Sequence, residues 1–302
     1  MSDNTFKSGF VSIIGRPNVG KSTLLNAILG EKVSIVSDKP QTTRNRILGV
    51  KHIAGAQIIF LDTPGIHKPR HKLNEYMVKA ALNTLDEVDL ILFMTEAGES
   101  PGPGGSGDNH IIELLKDVKK PVFLLINKID RIKKNEVLPQ IDEYGKSYKF
   151  DEIFPVSALK GENIDSLLDS LVKYLPEGPQ YFPDDVVTDQ PMRFIASEIV
   201  REKIFRNTYQ EVPYSVAVGI EDFKEDETKN MASIRGIIYV DKDSQKGIII
   251  GKGGAMLKQV GRLARLEIEA IMGIKVFLEL WVKVKPNWQS DDRILKMLGY
   301  KV

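Results

Sequence analysis

The sequence predicts a mostly parallel α/β sheet with helices on both faces, followed by a smaller α+β domain. Three observations carry this expectation. Strand-length apolar runs alternate with helical stretches up to Leu175, the order that parallel βαβ units require. Short polar or glycine-bearing segments follow those strand runs directly, where an open sheet places its ligands. Finally, Leu175-Pro-Glu-Gly-Pro-Gln-Tyr-Phe-Pro183 has the composition of a linker, and the pattern changes beyond it. The expected partition is a domain over residues 1–178, a linker over 179–190 and a second domain over 191–302, and 302 residues suit two domains of ordinary size.

The first strand, Phe10-Val11-Ser12-Ile13-Ile14, runs into Gly15-Arg16-Pro17-Asn18-Val19-Gly20-Lys21-Ser22, and Thr23 to Leu29 reads as the helix that follows. Strand, glycine-bearing loop and helix together make a nucleoside triphosphate cradle. The glycines let backbone N–H groups close on phosphate oxygens, Lys21 reaches the β- and γ-phosphates, and the Ser22 hydroxyl can ligate Mg2+. The helix N-terminus adds its positive dipole end.

A second strand, Gln57 to Leu61, ends in Asp62-Thr63-Pro64-Gly65, which delivers a carboxylate to the metal. Gly65 lacks a side chain, so its N–H can approach a γ-phosphate. Val122 to Ile126 is a buried-strand run followed by Asn127-Lys128-Ile129-Asp130. The Asp130 carboxylate matches the adjacent N1–H and N2 amino donors of guanine, whereas adenine presents an acceptor at N1. A buried carboxylate facing an acceptor costs roughly 1–3 kcal/mol or more, so the box selects guanine. The fourth segment, Val156-Ser157-Ala158-Leu159-Lys160-Gly161, follows the strand signal Ile153-Phe154 and flanks the base from the other side.

These boxes, in this order, resemble the translation-factor branch of P-loop GTPases. That resemblance implies that a threonine in Gln41-Thr42-Thr43-Arg44 closes over Mg2+ and the γ-phosphate in the GTP state, with Thr43 the first choice and Thr42 the reserve. The expected catalytic set is Lys21, Thr43, Asp62 and Gly65. Arg44 and Arg46 are read as surface or RNA-contact residues rather than catalytic ones. Where the best-known small GTPases place a water-orienting glutamine this chain has Ile66, so another group must position the water and intrinsic hydrolysis is expected to be slow. Asn18 either stabilises the loop or, as in the subgroup that carries asparagine there, associates with a K+ ion beside the phosphates.

The remaining composition excludes much. There are no cysteines, so disulfides and thiolate metal sites are ruled out, in keeping with a reducing cytosol. The four histidines give no zinc signature; His67 and His71 have helical ligand spacing but Pro69 lies between them. No apolar run reaches transmembrane length, and Met-Ser-Asp-Asn is no signal peptide, so a cytoplasmic protein is expected. With a net charge of +1, any nucleic-acid contact must be a local patch. Glu99-Ser-Pro-Gly-Pro-Gly-Gly-Ser-Gly107 reads as a flexible surface loop.

In the second domain, Phe194 to Arg206 reads as a helix, Tyr214 to Ile220 and Ile234 to Asp241 as strands, Ala255 to Met272 as a long helix and Val276 to Lys285 as a last strand. Gly251-Lys252-Gly253-Gly254 fits the GXXG loop with which KH domains clamp a single-stranded nucleic-acid backbone. Ile248-Ile249-Ile250 and the following helix are expected to form an apolar groove beside it. Lys258, Arg262 and Arg265 recur at helical spacing as an RNA-facing stripe, while Leu257, Val260, Ala264, Ile268 and Ile271 face the core. The element order is that of a type II KH domain.

A GTPase domain with Asn18 and Ile66, this KH arrangement and the ending Glu279-Leu-Trp281-Val-Lys-Val-Lys-Pro-Asn-Trp288 together resemble the Era family of bacterial ribosome-assembly GTPases. The resemblance spans essentially the whole chain. It implies a GTP-hydrolysing switch whose KH domain binds single-stranded small-subunit (16S) ribosomal RNA near its 3′ end during small-subunit assembly. It also implies peripheral association with the inner membrane, for which the residues give no signal of their own, as they give none for a homo-oligomer. Two alternatives stay open: an RNA-binding protein with a structural guanine-nucleotide site, and a GTPase of the tRNA-modification type. Base recognition is directly testable. Asp130→Asn is expected to weaken GTP and to favour xanthosine triphosphate, whose 2-carbonyl accepts from an amide NH2; an unchanged base preference in competition binding would remove Asp130 from the role.

Overall fold

The structure, a computed structural model, describes residues 5–67, 69, 71–100 and 107–300. Residues 101–106 of the segment expected as a surface loop, and the four opening residues, lie outside that set. The chain separates into two compact units, Met1–Lys68 with Met77–Asp189, and Pro69–Tyr76 with Gln190–Val302.

In the first unit the order is β1 (Lys7–Gly15), α1 (Lys21–Leu29), β2 (Ile47–Ile53), β3 (Ala56–Asp62), α2 (Lys72–Glu87, whose first turn belongs to the other unit), β4 (Leu90–Glu96), α3 (Asn109–Leu115), β5 (Val122–Asn127), α4 (Lys134–Ser147), β6 (Glu152–Val156) and α5 (Ile164–Tyr174). Every residue of β3 and of β5 is buried. Covered on both faces, such strands have no polar alternation to show and read as continuous apolar runs. The sheet order is β2-β3-β1-β4-β5-β6, all parallel except the antiparallel edge strand β2. Strands β2 and β4 extend the set read from the sequence.

This topology decides where a ligand can go. β1 is flanked by β3 and β4, so the connections leaving β1 and β3 diverge at its carboxyl end and open a crevice there. The loop of Gly15 to Gly20 and the segment starting at Asp62 both emerge into that crevice.

Residues expected to act as a linker are bound to the edge of this sheet. Gln57, fully buried on β3, accepts at Oε1 from the backbone N–H groups of Tyr181 (2.8 Å) and Phe182 (3.0 Å), and donates through Nε2 to the Phe182 carbonyl (2.8 Å). Val50 N–H donates to the Val187 carbonyl at 2.8 Å, and the Thr188 hydroxyl donates to the Leu48 carbonyl at 2.6 Å. An edge strand with unpaired backbone groups is a template for wrong pairing, and this strap occupies it.

In the second unit the order is α6 (Met192–Asn207), β7 (Ala217–Asp226), β8 (Met231–Val240), α7 (Asp243–Ile250), α8 (Ala255–Met272), β9 (Lys275–Val284) and α9 (Asp292–Met297). The sheet order is β7-β8-β9, with β7 antiparallel and β9 parallel to β8. The parallel pair requires a crossover, which α7 and α8 supply. Three sequence expectations change here. Residues Pro213–Ser215 form a 3₁₀ turn, so the strand starts at Ala217 rather than Tyr214. Ile248-Ile249-Ile250, expected to line an apolar groove, is the last turn of α7, whose helical period buries Ile249 and turns Ile248 to solvent. On α8, Val260, Ala264 and Ile268 are buried, but Ile271 is exposed. The tail is fixed by Trp288, fully buried, whose indole N–H donates to the Ser215 carbonyl at 2.8 Å.

Gln57→Leu removes the amide that holds Tyr181 and Phe182. The variant is expected to lose about 2–3 kcal/mol of stability, and hydrogen exchange at those amides should quicken while exchange in β1 is unchanged. Exchange at Tyr181 and Phe182 as slow as in the parent would show that the strap is held by something else.

Candidate nucleotide site and nucleic-acid loop

The cradle is built from backbone conformations that restrict its sequence. Gly20, the residue preceding α1, has φ 106°, and a Cβ there would lie 2.2 Å from Asn127 Nδ2. Only glycine satisfies both demands. Gly65 is excluded from other residues for a different reason: a Cβ would meet the Pro17 backbone nitrogen at 2.6 Å. Backbone of the metal-carboxylate segment thus lies directly against the phosphate loop, and Ile66 N–H donates to the Gly15 carbonyl at 3.1 Å.

Lys21 folds back over the loop. Its ammonium donates to the Gly15 carbonyl at 3.1 Å and the Arg16 carbonyl at 2.9 Å. Burial lowers its pKa to about 8, against an opposing pull from Asp62; Arg16 lowers it further and Asp108 raises it. The ammonium therefore sits in a site that disfavours its charge until an anion arrives.

Opposite it, Asp62 is fully buried, and burial pushes its carboxyl pKa up against hydrogen bonds from Ser22 and Ser34 and the attraction of Lys21. Ser22 Oγ donates to Asp62 Oδ2 at 2.6 Å and Ser34 Oγ donates to the same oxygen at 2.9 Å. Thr43 Oγ1 lies 2.7 Å from Ser22 Oγ; with the Ser22 proton directed at Asp62, Thr43 is the donor. Asp62 Oδ1 is buried with no hydrogen-bond partner among the described residues. Two hydroxyls and an orphaned carboxylate oxygen form a hard-oxygen donor set suited to Mg2+.

On the base side, Asn127 ties three loops together. Its Nδ2 donates to the Val19 carbonyl at 2.7 Å and its Oδ1 accepts from Ala158 N–H at 2.9 Å. Lys128 takes a left-handed conformation, φ 68°, and its ammonium pairs with Glu96. Ser157 Oγ donates to Asp130 Oδ1 at 2.6 Å, orienting an otherwise exposed carboxylate. Pro17, Asn18, Gly20, Lys21, Ser22, Thr23, Thr43, Gly65, Asn127, Lys128, Asp130, Ala158 and Leu159 all line one cavity of about 480 Å³. Thr63, by contrast, supports from behind, donating to the Ile13 carbonyl at 2.8 Å.

Several side chains depart from their expected places. Arg44 is fully buried rather than a surface or RNA-contact residue; Arg46 is exposed and paired with Glu87 at 2.6 Å. The Arg16 side chain turns to Asp108, at 2.7 Å, and to Glu99. Ser34, Asn26 and Asp108 were not identified from sequence, because each acts across a fold distance that no local spacing encodes.

The glycine loop of the second unit has a matching logic. Gly251, Gly253 and Gly254 have φ of 71°, 60° and 80°. A Cβ on Gly251 would meet Met256 N at 2.9 Å. Lys252 and Gly253 project into solvent, and Lys258 and Arg262 on α8 are exposed beside them. Arg265 is not part of that free stripe, being paired with Glu269 at 3.0 Å.

The family described as a 50S ribosome-binding GTPase matches residues 10–128, and the KH domain family matches residues 211–289. GTPase Era of Geobacter metallireducens is 58% identical over 99% of this chain and 100% of its own length. The chain belongs to the Era family of GTPases. Era of Alkaliphilus metalliredigens is 55% identical over 98% of the chain. A solved Era in complex with MgGDPNP and nucleotides 1506–1542 of 16S ribosomal RNA is 50% identical over 98% of the chain, with a TM-score of 0.95. Aquifex aeolicus Era bound to GDP and aluminium fluoride superposes with a TM-score of 0.94 at 50% identity. The two units of this Era-family chain therefore carry a nucleotide crevice and a KH glycine loop respectively. No helix among the described residues is long and apolar enough to cross a membrane.

The depressed Lys21 pKa gives a signed prediction. At pH 8.5 much of the free protein carries neutral Lys21, with its folded pKa near 8. A bound phosphate restores the charge, so GDP binding should take up protons. Calorimetry in buffers of different ionisation enthalpy should show net uptake at pH 8.5, much reduced at pH 6.5; equal proton exchange at both values would contradict the buried, depressed lysine.

Proposed function

We propose that this protein is a GTP-hydrolysing switch that binds small-subunit ribosomal RNA near its 3′ end and assists assembly of the small ribosomal subunit. The observation that carries the reading is the convergence of Lys21, Ser22, Thr43 and Asp62 on one crevice. That crevice lies in a chain 50% identical, over almost its whole length, to an Era that holds MgGDPNP and 16S RNA.

Ser22, Asp62 and Thr43 would hold Mg2+, which when bound supplies positive charge across the β- and γ-phosphate oxygens. The chain does the rest. Backbone N–H groups of Asn18 to Thr23 bind phosphate, and the Lys21 ammonium exchanges two carbonyl acceptors for phosphate oxygens. Gly65 brings its backbone to the γ-phosphate side, and Asp130, oriented by Ser157, reads guanine. Asn127 and the Ser157-Ala158-Leu159 segment hold the base pocket together.

Ile66 does not orient the attacking water, since its side chain is buried and its N–H is bonded to Gly15. Asn18 offers a route to K+ instead. Its Nδ2 donates to the Asp38 carbonyl at 2.7 Å, which leaves Oδ1 as an acceptor on the wall of the nucleotide cavity. An amide oxygen there is one ligand that a large monovalent cation could take.

In the second unit Gly251, Lys252, Gly253 and Gly254 clamp the RNA backbone, with Lys258 and Arg262 adding charge. Domain limits of 1–178 and 191–302 fit this division of labour, with most of the intervening segment held along the first unit's sheet rather than free. A cytoplasmic location with peripheral contact at the inner membrane belongs to the same reading and is supported by the family resemblance alone.

Single-turnover GTP hydrolysis in K+ or Na+ buffer, with and without an oligonucleotide copying the small-subunit RNA 3′ end, tests the proposal. Faster hydrolysis with K+ and with RNA is expected; no turnover under any condition would leave an RNA-binding protein with a structural nucleotide site. Replacing Lys252 and Gly253 with Asp is expected to weaken RNA binding at least tenfold while GDP affinity stays within twofold. RNA affinity equal to the parent's would remove the glycine loop from the interface.

A further inference from the structure

We infer that Asn26 and Ser34 form a positioning device that fixes the rotation of the Asp62 carboxylate and thereby sets the affinity of the nucleotide site for its divalent cation. The inference deepens the Mg2+-nucleotide reading above and rests on it.

Asn26 lies on α1, the helix that begins at the phosphate loop. Its side-chain amide is saturated by the chain just before the Thr43 loop: Oδ1 accepts from Val33 N–H at 3.1 Å and Ser34 N–H at 3.0 Å, while Nδ2 donates to the Ser34 carbonyl at 2.7 Å. Two of these bonds fix both backbone polar groups of Ser34, and the third holds the Val33 N–H before it. Ser34 is 1% exposed, and its hydroxyl donates to Asp62 Oδ2 at 2.9 Å.

The consequence is an asymmetry within one carboxylate. Oδ2 receives two side-chain donors, from Ser22 at 2.6 Å and from Ser34, whereas Oδ1 has no hydrogen-bond partner among the described residues. The two oxygens are equivalent under a half rotation, so what these donors fix is the plane of the group: a quarter turn would break both bonds and withdraw the oxygen that is left for the cation. Ser22 alone cannot prevent this, because its hydroxyl is itself a prospective metal ligand and must be free to turn its lone pairs to the cation. Ser34 is held by Asn26 and has no such duty. It therefore supplies the fixed donor that keeps Oδ1 presented, as outer partners of ligating groups generally do.

The same chain of bonds starts on the helix of the phosphate loop and ends on the carboxylate of the neighbouring strand. Asn26 and Ser34 touch neither phosphate nor cation. They act through Asp62, so they are positioning residues, and their signature lies in cation dependence rather than in nucleotide contact.

The test measures release of a fluorescent GDP from the intact protein across a Mg2+ titration, a readout independent of hydrolysis. Ser34→Ala is expected to raise the Mg2+ concentration that half-maximally slows release by about tenfold, the loss typical for an outer partner of a metal ligand. Release in excess chelator should match the parent. Ser34→Thr keeps the hydroxyl and should restore the parent midpoint, and Asn26→Ala should shift it in the same direction as Ser34→Ala. A parent-like midpoint in both alanine variants overturns the inference while leaving the Mg2+ site intact. A parent protein whose GDP release ignores Mg2+ overturns the metal reading itself. Faster release from the alanine variants in chelator as well would make the defect one of the cradle, and also overturns the inference.

Discussion

A lysine ammonium and a carboxylate buried together at the carboxyl end of a parallel sheet are the constraint on which the rest of the structure depends. Lys21 is 6% exposed and Asp62 is fully buried. Removing either charge from water is costly, and their mutual attraction only partly offsets it. The pKa directions record this, with the lysine pushed down and the carboxyl pushed up by burial. Such a site is electrostatically incomplete in the protein alone. In the proposed reading, phosphate oxygens beside Lys21 and a cation beside Asp62 Oδ1 complete it.

The surrounding architecture serves that incompleteness. Strand order places β1 between β3 and β4, so the crevice lies where two loops diverge. Gly20 and Gly65 allow backbone to approach where any Cβ would collide. Asn127 spans from the Val19 carbonyl to Ala158 N–H, so phosphate and base ends of the crevice are set by one side chain. In the second unit the glycine loop again exposes backbone for an anionic ligand, here with the positive charge of Lys252, Lys258 and Arg262 in solvent rather than buried. The first arrangement suits a tightly held small anion, the second an extended chain that comes and goes.

What could be read from the sequence was whatever the chemistry ties to adjacent residues. The phosphate loop, the Asp62 and Asn127 segments and the Gly251 loop each combine a strand or helix end with residues that act within a few positions, and each is found where its spacing places it. The rest depends on tertiary contact. Nothing near Arg44 announces a buried guanidinium, and nothing near Gln57 reveals that it will hold Tyr181 and Phe182. Ser34 reaches Asp62 only because the Thr43 loop folds back over β3. Ile248 to Ile250 close α7, the first helix of the crossover from β8 to β9, and the helical period that turns Ile248 outward cannot be read from three identical residues.

The central claim is that the buried pair in the first unit is completed by a guanine nucleotide and its cation. The most direct measurement is the unfolding midpoint of the intact chain with Mg2+ alone, with Mg2+ and GDP, and with Mg2+ and ADP. At a ligand concentration near a hundred times its dissociation constant, GDP should add about 2.7 kcal/mol of stability, while ADP at the same concentration leaves the Mg2+-only midpoint unchanged. Equal stabilisation by ADP, or none by GDP, would contradict the account.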